Sequence, residues 1–92
     1  MASSSKVHFL YILRCADGSL YIGETSDVDR RVATHNEGGS SFTSTKRPVS
    51  LIYHEKFEGR SLALARERQL KTWSRAKKEA LIAGDLAALK WL

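Results

Sequence analysis

Arg31 and His35 stand four residues apart in a stretch whose apolar positions, Val28 and Val32, recur at helical spacing. At about 100° per residue all four share one side of a helix, and Arg30 points almost opposite. An arginine beside an apolar stripe keeps its charge, so it needs an anionic partner or a water-lined cleft. The plainer alternative is a stem packed on the core with its guanidinium reaching out to solvent. His35 has the same two readings, a proton-transfer group or a hydrogen-bonded structural histidine, and periodicity alone favours the plainer one in both cases. A second cluster surrounds Glu67, the sole acid between positions 60 and 78 among Arg60, Arg66, Arg68, Lys71, Arg75, Lys77 and Lys78. Glu67 borders an apolar face of Leu62, Ala65, Leu70, Trp73 and Ala76, with Ala63 at one flank. It can pair with Lys71 one turn on, worth about 0.3–0.5 kcal/mol, or face a cleft and hold a divalent cation. Spacing favours the ion pair.

Other chemistries find little footing. There is no Gly-rich phosphate loop, no Cys/His metal spacing and no Gly-x-Ser-x-Gly. His8 and His54 fall in different strands without a local ligand partner, and Cys15 ends a strand beside a turn.

The elements that must position these groups follow from pattern. Val7 to Arg14 is apolar on both alternating faces, as a central strand covered on both sides would be. Asp17-Gly18 signals a hairpin, returning through Ser19 to Gly23. Ser26 with Asp29 resembles a capping box for a helix over 27–37, ended by Gly38-Gly39. Residues 40–48 read as a polar, mobile loop, and Val49 to Phe57 as a third strand. Ser61 is placed to cap a helix reaching Trp73, Ser74 to cap another, and Gly84-Asp85 precedes a terminal amphipathic turn, Leu86 to Leu92. The expectation is an α+β domain, a three-stranded antiparallel sheet flanked by helices in the order ββαβαα, with a short C-terminal helical segment. Residues 1–6 read as a disordered tail, 7–82 as the domain and 83–92 as an extension packing on it.

At 92 residues the chain suits one domain with a modest core. One cysteine excludes a disulfide scaffold, and no apolar run approaches a membrane span. The first residues lack the apolar core of a signal peptide, which points to a reducing cytoplasm. Fifteen Lys/Arg against ten Asp/Glu, a net charge of +5, leans toward polyanionic partners.

Leu10-Tyr11-Ile12 and Tyr21-Ile22-Gly23 together resemble the paired motifs of the GIY-YIG nuclease superfamily, although Phe9-Leu10-Tyr11-Ile12 departs from Gly-Ile-Tyr in the first. The resemblance continues through Glu24 to Asn36, Lys46 to Tyr53, Ala63 to Lys71 and Trp73 to Ile82, and so spans nearly the whole chain. The resemblance is to the small stand-alone bacterial branch. It implies a GIY-YIG-like domain that hydrolyses phosphodiesters with one divalent ion, Mg²⁺ or Mn²⁺. It implies Tyr11 and Tyr21 as site tyrosines, Arg31 as catalytic arginine, Glu67 as metal carboxylate and His35 in support. If both tyrosines share a cleft, the hairpin loop is constrained. A two-residue loop makes paired positions sum to 35 and sets Tyr11 and Tyr21 on opposite faces. A three-residue loop, Ala16-Asp17-Gly18 with Gly18 left-handed, makes the sum 34 and sets them together.

Nucleic acid is then expected across the tyrosine-bearing sheet face, with Lys46 and Arg47 on phosphate and Phe42 stacked on a base or latched onto the core. Arg66, Lys71 and Arg75 offer a further phosphate track. With no separate DNA-reading module, single-stranded or branched DNA is the favoured substrate and a monomer the favoured state. The competing readings are a catalytically silent nucleic-acid-binding module, or an adaptor docking through Leu86 to Leu92.

Overall fold

Val7–Arg14 forms β1, the middle strand of a three-stranded antiparallel sheet ordered β2-β1-β3. The structure is a computed structural model that describes residues 6–40 and 42–91, so all of the expected tail except Lys6 lies outside the described residues. After β1 come β2 (Leu20–Thr25), α1 (Val28–Asn36), β3 (Ser50–Glu58), α2 (Arg60–Lys71), α3 (Arg75–Ala83) and the short α4 (Leu86–Leu89). The expected α+β class, sheet and element order hold.

The hairpin has the three-residue loop. Tyr11 pairs with Gly23 and Leu13 with Tyr21, a constant sum of 34. Gly18 has φ +87° and donates its N–H to the Cys15 carbonyl at 2.9 Å, while the Cys15 N–H donates to Ser19 O at 2.9 Å. Asp17 fastens the turn by accepting from the Ser19 N–H and hydroxyl at 2.9 and 2.6 Å. That register puts both tyrosines on one face.

β1 is apolar on both faces because both are covered. Leu10 and Ile12 join Ile22 and Leu70 in one core beneath α2, while Tyr11, Leu13, Cys15 and Val49 form the other beside Val32 of α1. The run Leu51-Ile52-Tyr53 would alternate faces in a regular strand. Instead a bulge opposite Ile12 and Leu13 leaves Ile52 unpaired, so Leu51 serves one core while Ile52 and Tyr53 serve the other.

Two cap assignments differ from expectation. The N-cap of α1 is Asp27, not Ser26: its carboxylate accepts from the Arg30 N–H at 3.0 Å, and Thr25 Oγ1 accepts from the Asp27 N–H at 3.1 Å. Ser61 caps nothing, because β3 passes into α2 through the single residue Gly59 at φ +122°, which starts the helix before Ser61. That junction also resets the helix phase. Ala63 and Leu70 are the buried positions of α2, while Leu62 is 54% exposed and Ala65 and Ala76 are exposed. Glu67, between Ala63 and Leu70 on the helix surface, therefore lies on the inward face. Ser74 does cap α3, accepting from the Lys77 N–H at 3.1 Å, and Asp85 caps α4.

Ion pairs fasten the helices to the sheet. Arg14 meets Glu79 of α3 through two bonds of 2.7 and 2.8 Å, and these bonds hold the Glu79 pKa down at about 2. Arg66 of α2 meets Glu55 of β3 in a similar fork, 2.9 Å on each arm. The loop over 42–47, expected to stand free, is tied back to the hairpin: Ala16 N–H donates to Lys46 O at 2.9 Å, and Lys46 N–H to Thr43 O at 2.9 Å. Beyond α3, α4 buries no residue, and Trp91 is 87% exposed.

Gly23 has the tightest packing constraint in the sheet. A Cβ added there would sit 2.6 Å from the Tyr11 hydroxyl and 2.8 Å from its ring, and the Tyr11 side chain is fully buried with nowhere to withdraw. Gly23→Ala should therefore cost about 1–3 kcal/mol, as overpacking does in closed cores. Thermal unfolding is the measurement, with about 4–8 °C lost per kcal/mol at this size. An unchanged midpoint would mean the ring is free to move.

Candidate functional site

Gly23 lets the Tyr11 side chain lie across β2, and the phenol ends at His35 of α1, with its hydroxyl 3.1 Å from Nε2. His35 Nδ1 in turn lies 2.7 Å from Thr43 Oγ1. All three residues are buried, at 0%, 1% and 0% exposure, so the chain of hydrogen bonds is closed to water. Assigning the proton to Nδ1 lets Nδ1–H donate to Thr43 and Nε2 accept from Tyr11. Burial, followed by the charge of Arg31, pushes the His35 pKa below its ordinary value, so the ring is neutral near pH 7. Burial also pushes Tyr11 up to about 12, outweighing the lowering effect of Arg31. Tyr11 thus remains a hydrogen-bond donor and is no base at neutral pH.

Tyr21 sits differently. It is half-buried, with its ring 4.9 Å from His35, 5.3 Å from Phe42 and 6.2 Å from Tyr11, centroid to centroid. It lines a cleft of about 330 Å³ together with Arg31, Thr34, His35, Gly39 and Ser40. Arg31 is anchored loosely, donating from Nη1 to the Glu24 carbonyl at 3.4 Å, and it lines the cleft beside Tyr21 and His35. Helical spacing thus sets Arg31 and His35 beside the same phenol. The rest of the tyrosine-bearing face is closed by Val32, Val49 and Leu51, so a strand of nucleic acid cannot lie across it as expected. Access is along the β2 edge.

Glu67 comes from the α2 side of the sheet, and its charge adds only the smallest of the upward pushes on the Tyr11 pKa. Its side chain is 17% exposed, and Oε2 is 2.6 Å from Lys71 Nζ. Of the two readings of its spacing, the pairing with Lys71 is the one the geometry displays. Glu24 is the other nearby acid: its Oε2 lies 3.4 Å from Arg60, while its buried Oε1, 3.5 Å from His8 Nε2, has no hydrogen-bond partner among the described residues. Among the described residues no group of three or more His, Cys, Asp or Glu gathers as a metal cage. The donors available are one carboxylate and neighbouring hydroxyls. That set fits a single hard cation that keeps most of its own water, and does not fit zinc.

The remaining expected contacts spread out. Phe42 is 47% exposed, with Lys46 Nζ 4.3 Å from its ring centroid. Arg47 donates to the carbonyls of Ser44 and Asn36 at 2.9 and 3.2 Å, and Arg75 to Gly18 O at 2.7 Å and Glu79 at 3.2 Å. Arg66 is engaged with Glu55 and Gln69. Burial tends to raise the Glu55 pKa, but the bonds from Arg66 and Tyr53 hold it below the ordinary carboxylate value. Sequence reasoning passed over Thr43, since a loop hydroxyl has no periodicity to betray its partner.

His35 should leave a signature in the pH dependence of stability. Unfolded, it titrates near its ordinary value of about 6.5. Below that pH the unfolded chain takes up a proton that the native chain refuses, so stability falls on acidification. Between about pH 7.5 and pH 5.5 the unfolding midpoint should drop, and His35→Gln should flatten that slope. Equal slopes in the two proteins would contradict a neutral buried His35.

A profile of the GIY-YIG catalytic domain matches residues 7–80. A UPF0213 protein of Bacillus pumilus (strain SAFR-032) is 49% identical over 76 residues, covering 82% of this chain and 78% of its own. One from Staphylococcus aureus (strain Mu3) is 51% identical over 76 residues, covering 82% and 93%. The solution NMR structure of the UPF0213 protein BH0048 from Bacillus halodurans is similar at TM-score 0.56, with 41% identity over 84% of this chain and 83% of that one. That of EF2693 from E. faecalis is similar at TM-score 0.60, with 40% identity over 86% and 85%.

Proposed function

The chain belongs to the GIY-YIG family, in the branch that includes the UPF0213 proteins, and from that membership we propose that it is a divalent-metal-dependent endonuclease acting on single-stranded or branched DNA. The observation carrying this reading is the convergence of Tyr21, Arg31 and His35 on one cleft beside buried Tyr11.

Hydrolysis requires water to attack phosphorus in line and to lose a proton as it does so. Tyr21 is the base on this reading, because it lines the cleft while Tyr11 is buried and both His35 nitrogens are already hydrogen-bonded. Tyr11, His35 and Thr43 form the buried support that fixes the Tyr21 ring from behind. Arg31 offers a planar fork of donors to the non-bridging oxygens, where charge accumulates in the transition state. Glu67 would hold the divalent ion, Mg²⁺ or Mn²⁺, which when bound neutralises charge on the leaving oxygen. Releasing Lys71 from Glu67 would be part of loading it.

Lys46, near Phe42 and 3.8 Å from Asp17, guides phosphate on the loop side. Arg47, Arg66 and Arg75 serve the fold first, since each spends its guanidinium on protein acceptors. The Glu67–Lys71 contact is the one feature favouring the second reading, a silent nucleic-acid-binding module in which that acid is only a helix ion pair.

Labelled single-stranded, duplex and flap DNA, incubated with and without Mg²⁺ or Mn²⁺, separates the two. Arg31→Ala and Glu67→Gln should each lower cleavage by about 10²-fold or more with the folded state intact. Cleavage unchanged in both variants would sink the assigned site, and binding without cleavage in the parent protein would favour the silent module.

A further inference from the structure

A second cleft adjoins the first through Tyr21. It measures about 230 Å³ and is lined by Leu20, Tyr21, Ile22, Phe42, Lys71 and Lys78. Its walls are apolar and aromatic along β2 and the loop, and its far rim carries two lysines from α2 and α3. Lys46 adds a third cation against the Phe42 ring, 4.3 Å from the centroid. The cleft is smaller than the roughly 300–1,000 Å³ that encloses a drug-sized ligand, and suits one flat ring system. Lys71 also contacts Glu67, so the cleft lies beside the carboxylate proposed to hold the divalent ion.

We infer that this cleft is a nucleobase subsite, taking the unpaired base next to the scissile phosphate, with Phe42 and Tyr21 as its aromatic wall and Lys78 as a contact to the following phosphate. The inference rests on the nuclease reading and narrows its substrate. An aromatic wall accepts the π-face of any base, and such faces are open only where a nucleotide is unstacked. A base inside a duplex presents only its edges and would have to be extruded at a cost. Charge supports the assignment: none of the ion pairs among the described residues involves Lys78, which leaves its ammonium for phosphate. On the other side of Tyr21, Arg31 and Thr34 are shared with a polar cleft that adds Thr25, Ser26, Asp27 and Arg30. The three hollows form one track along the β2 edge, polar at the Arg30 end and apolar at the Phe42 end. A strand lying in it would be gripped by phosphate at one end and by a base at the other.

Single-stranded oligonucleotides carrying one 2-aminopurine, moved stepwise along the sequence, test this without added divalent ion. Fluorescence should change sharply at one position in the parent protein, and Phe42→Ala should abolish that change while weakening binding about tenfold. Lys78→Gln should weaken binding severalfold and lower the salt dependence by about one phosphate contact. It also keeps the test decisive should the Phe42 variant fold poorly. Equal fluorescence and affinity in parent and variants would overturn the subsite. A positional signal without cleavage when Mg²⁺ or Mn²⁺ is added would leave the subsite standing and overturn the nuclease reading. Cleavage that ignores Phe42 and Lys78 would do the reverse.

Discussion

The register of one hairpin governs everything else in the molecule. Side chains alternate along a strand, so a slip of one residue between β1 and β2 would send Tyr11 and Tyr21 to opposite faces. The three-residue loop, closed by Gly18 at φ +87°, prevents it. Once Tyr11 lies opposite Gly23, its phenol can cross β2 and find His35, and the helix carrying His35 brings Arg31 with it. The second core follows from the same choice. Tyr11, Leu13 and Cys15 fill one face, and Leu10 and Ile12 are left to hold α2 and its Glu67 on the other.

Charge is sorted just as firmly. A net charge of +5 describes the whole chain, but most of its arginines are spent internally. Arg14 and Arg75 converge on Glu79, and Arg66 clasps Glu55 beneath the Tyr53 hydroxyl. These forks weld helices to strands, and their geometry leaves few donors over for a ligand. What stays outside the ion pairs near the β2 edge, among the described residues, is a smaller set: Arg30, Arg31 and Lys78. Basicity in this protein is therefore partly mortar.

The sheet and the sharing of one side by Arg31 and His35 were legible in the sequence as periods. The hairpin's loop length followed only on the condition, taken from the family resemblance, that Tyr11 and Tyr21 share a cleft. The inward face of α2 was not legible. Leu62 and Ala65 are apolar and invite a stripe, but Gly59 starts the helix two residues early, and Ala63, Glu67 and Leu70 face inward instead. Ser26 and Ser61 failed as caps for a related reason: a cap is set by the preceding strand's exit, and a better acceptor one residue on, or a glycine two residues back, takes the place. Thr43 lies in a loop, where a hydroxyl's partner depends on the fold as a whole. Its bond to His35 emerges only in three dimensions.

Gly23 and the ring of Tyr11 occupy what is, in effect, a single volume. Across generations the two positions cannot drift independently. A lineage that enlarges residue 23 first meets a clash, whereas one that shrinks residue 11 first opens a hole and loses the donor to His35. Neither route is easy, since truncating a buried aromatic costs even more than overpacking. Once a side chain has grown into the space at 23, the tyrosine has no room to come back. The pair works as a one-way gate in sequence space, and a descendant that has passed it would carry a filled position 23 as the lasting trace of a vanished phenol.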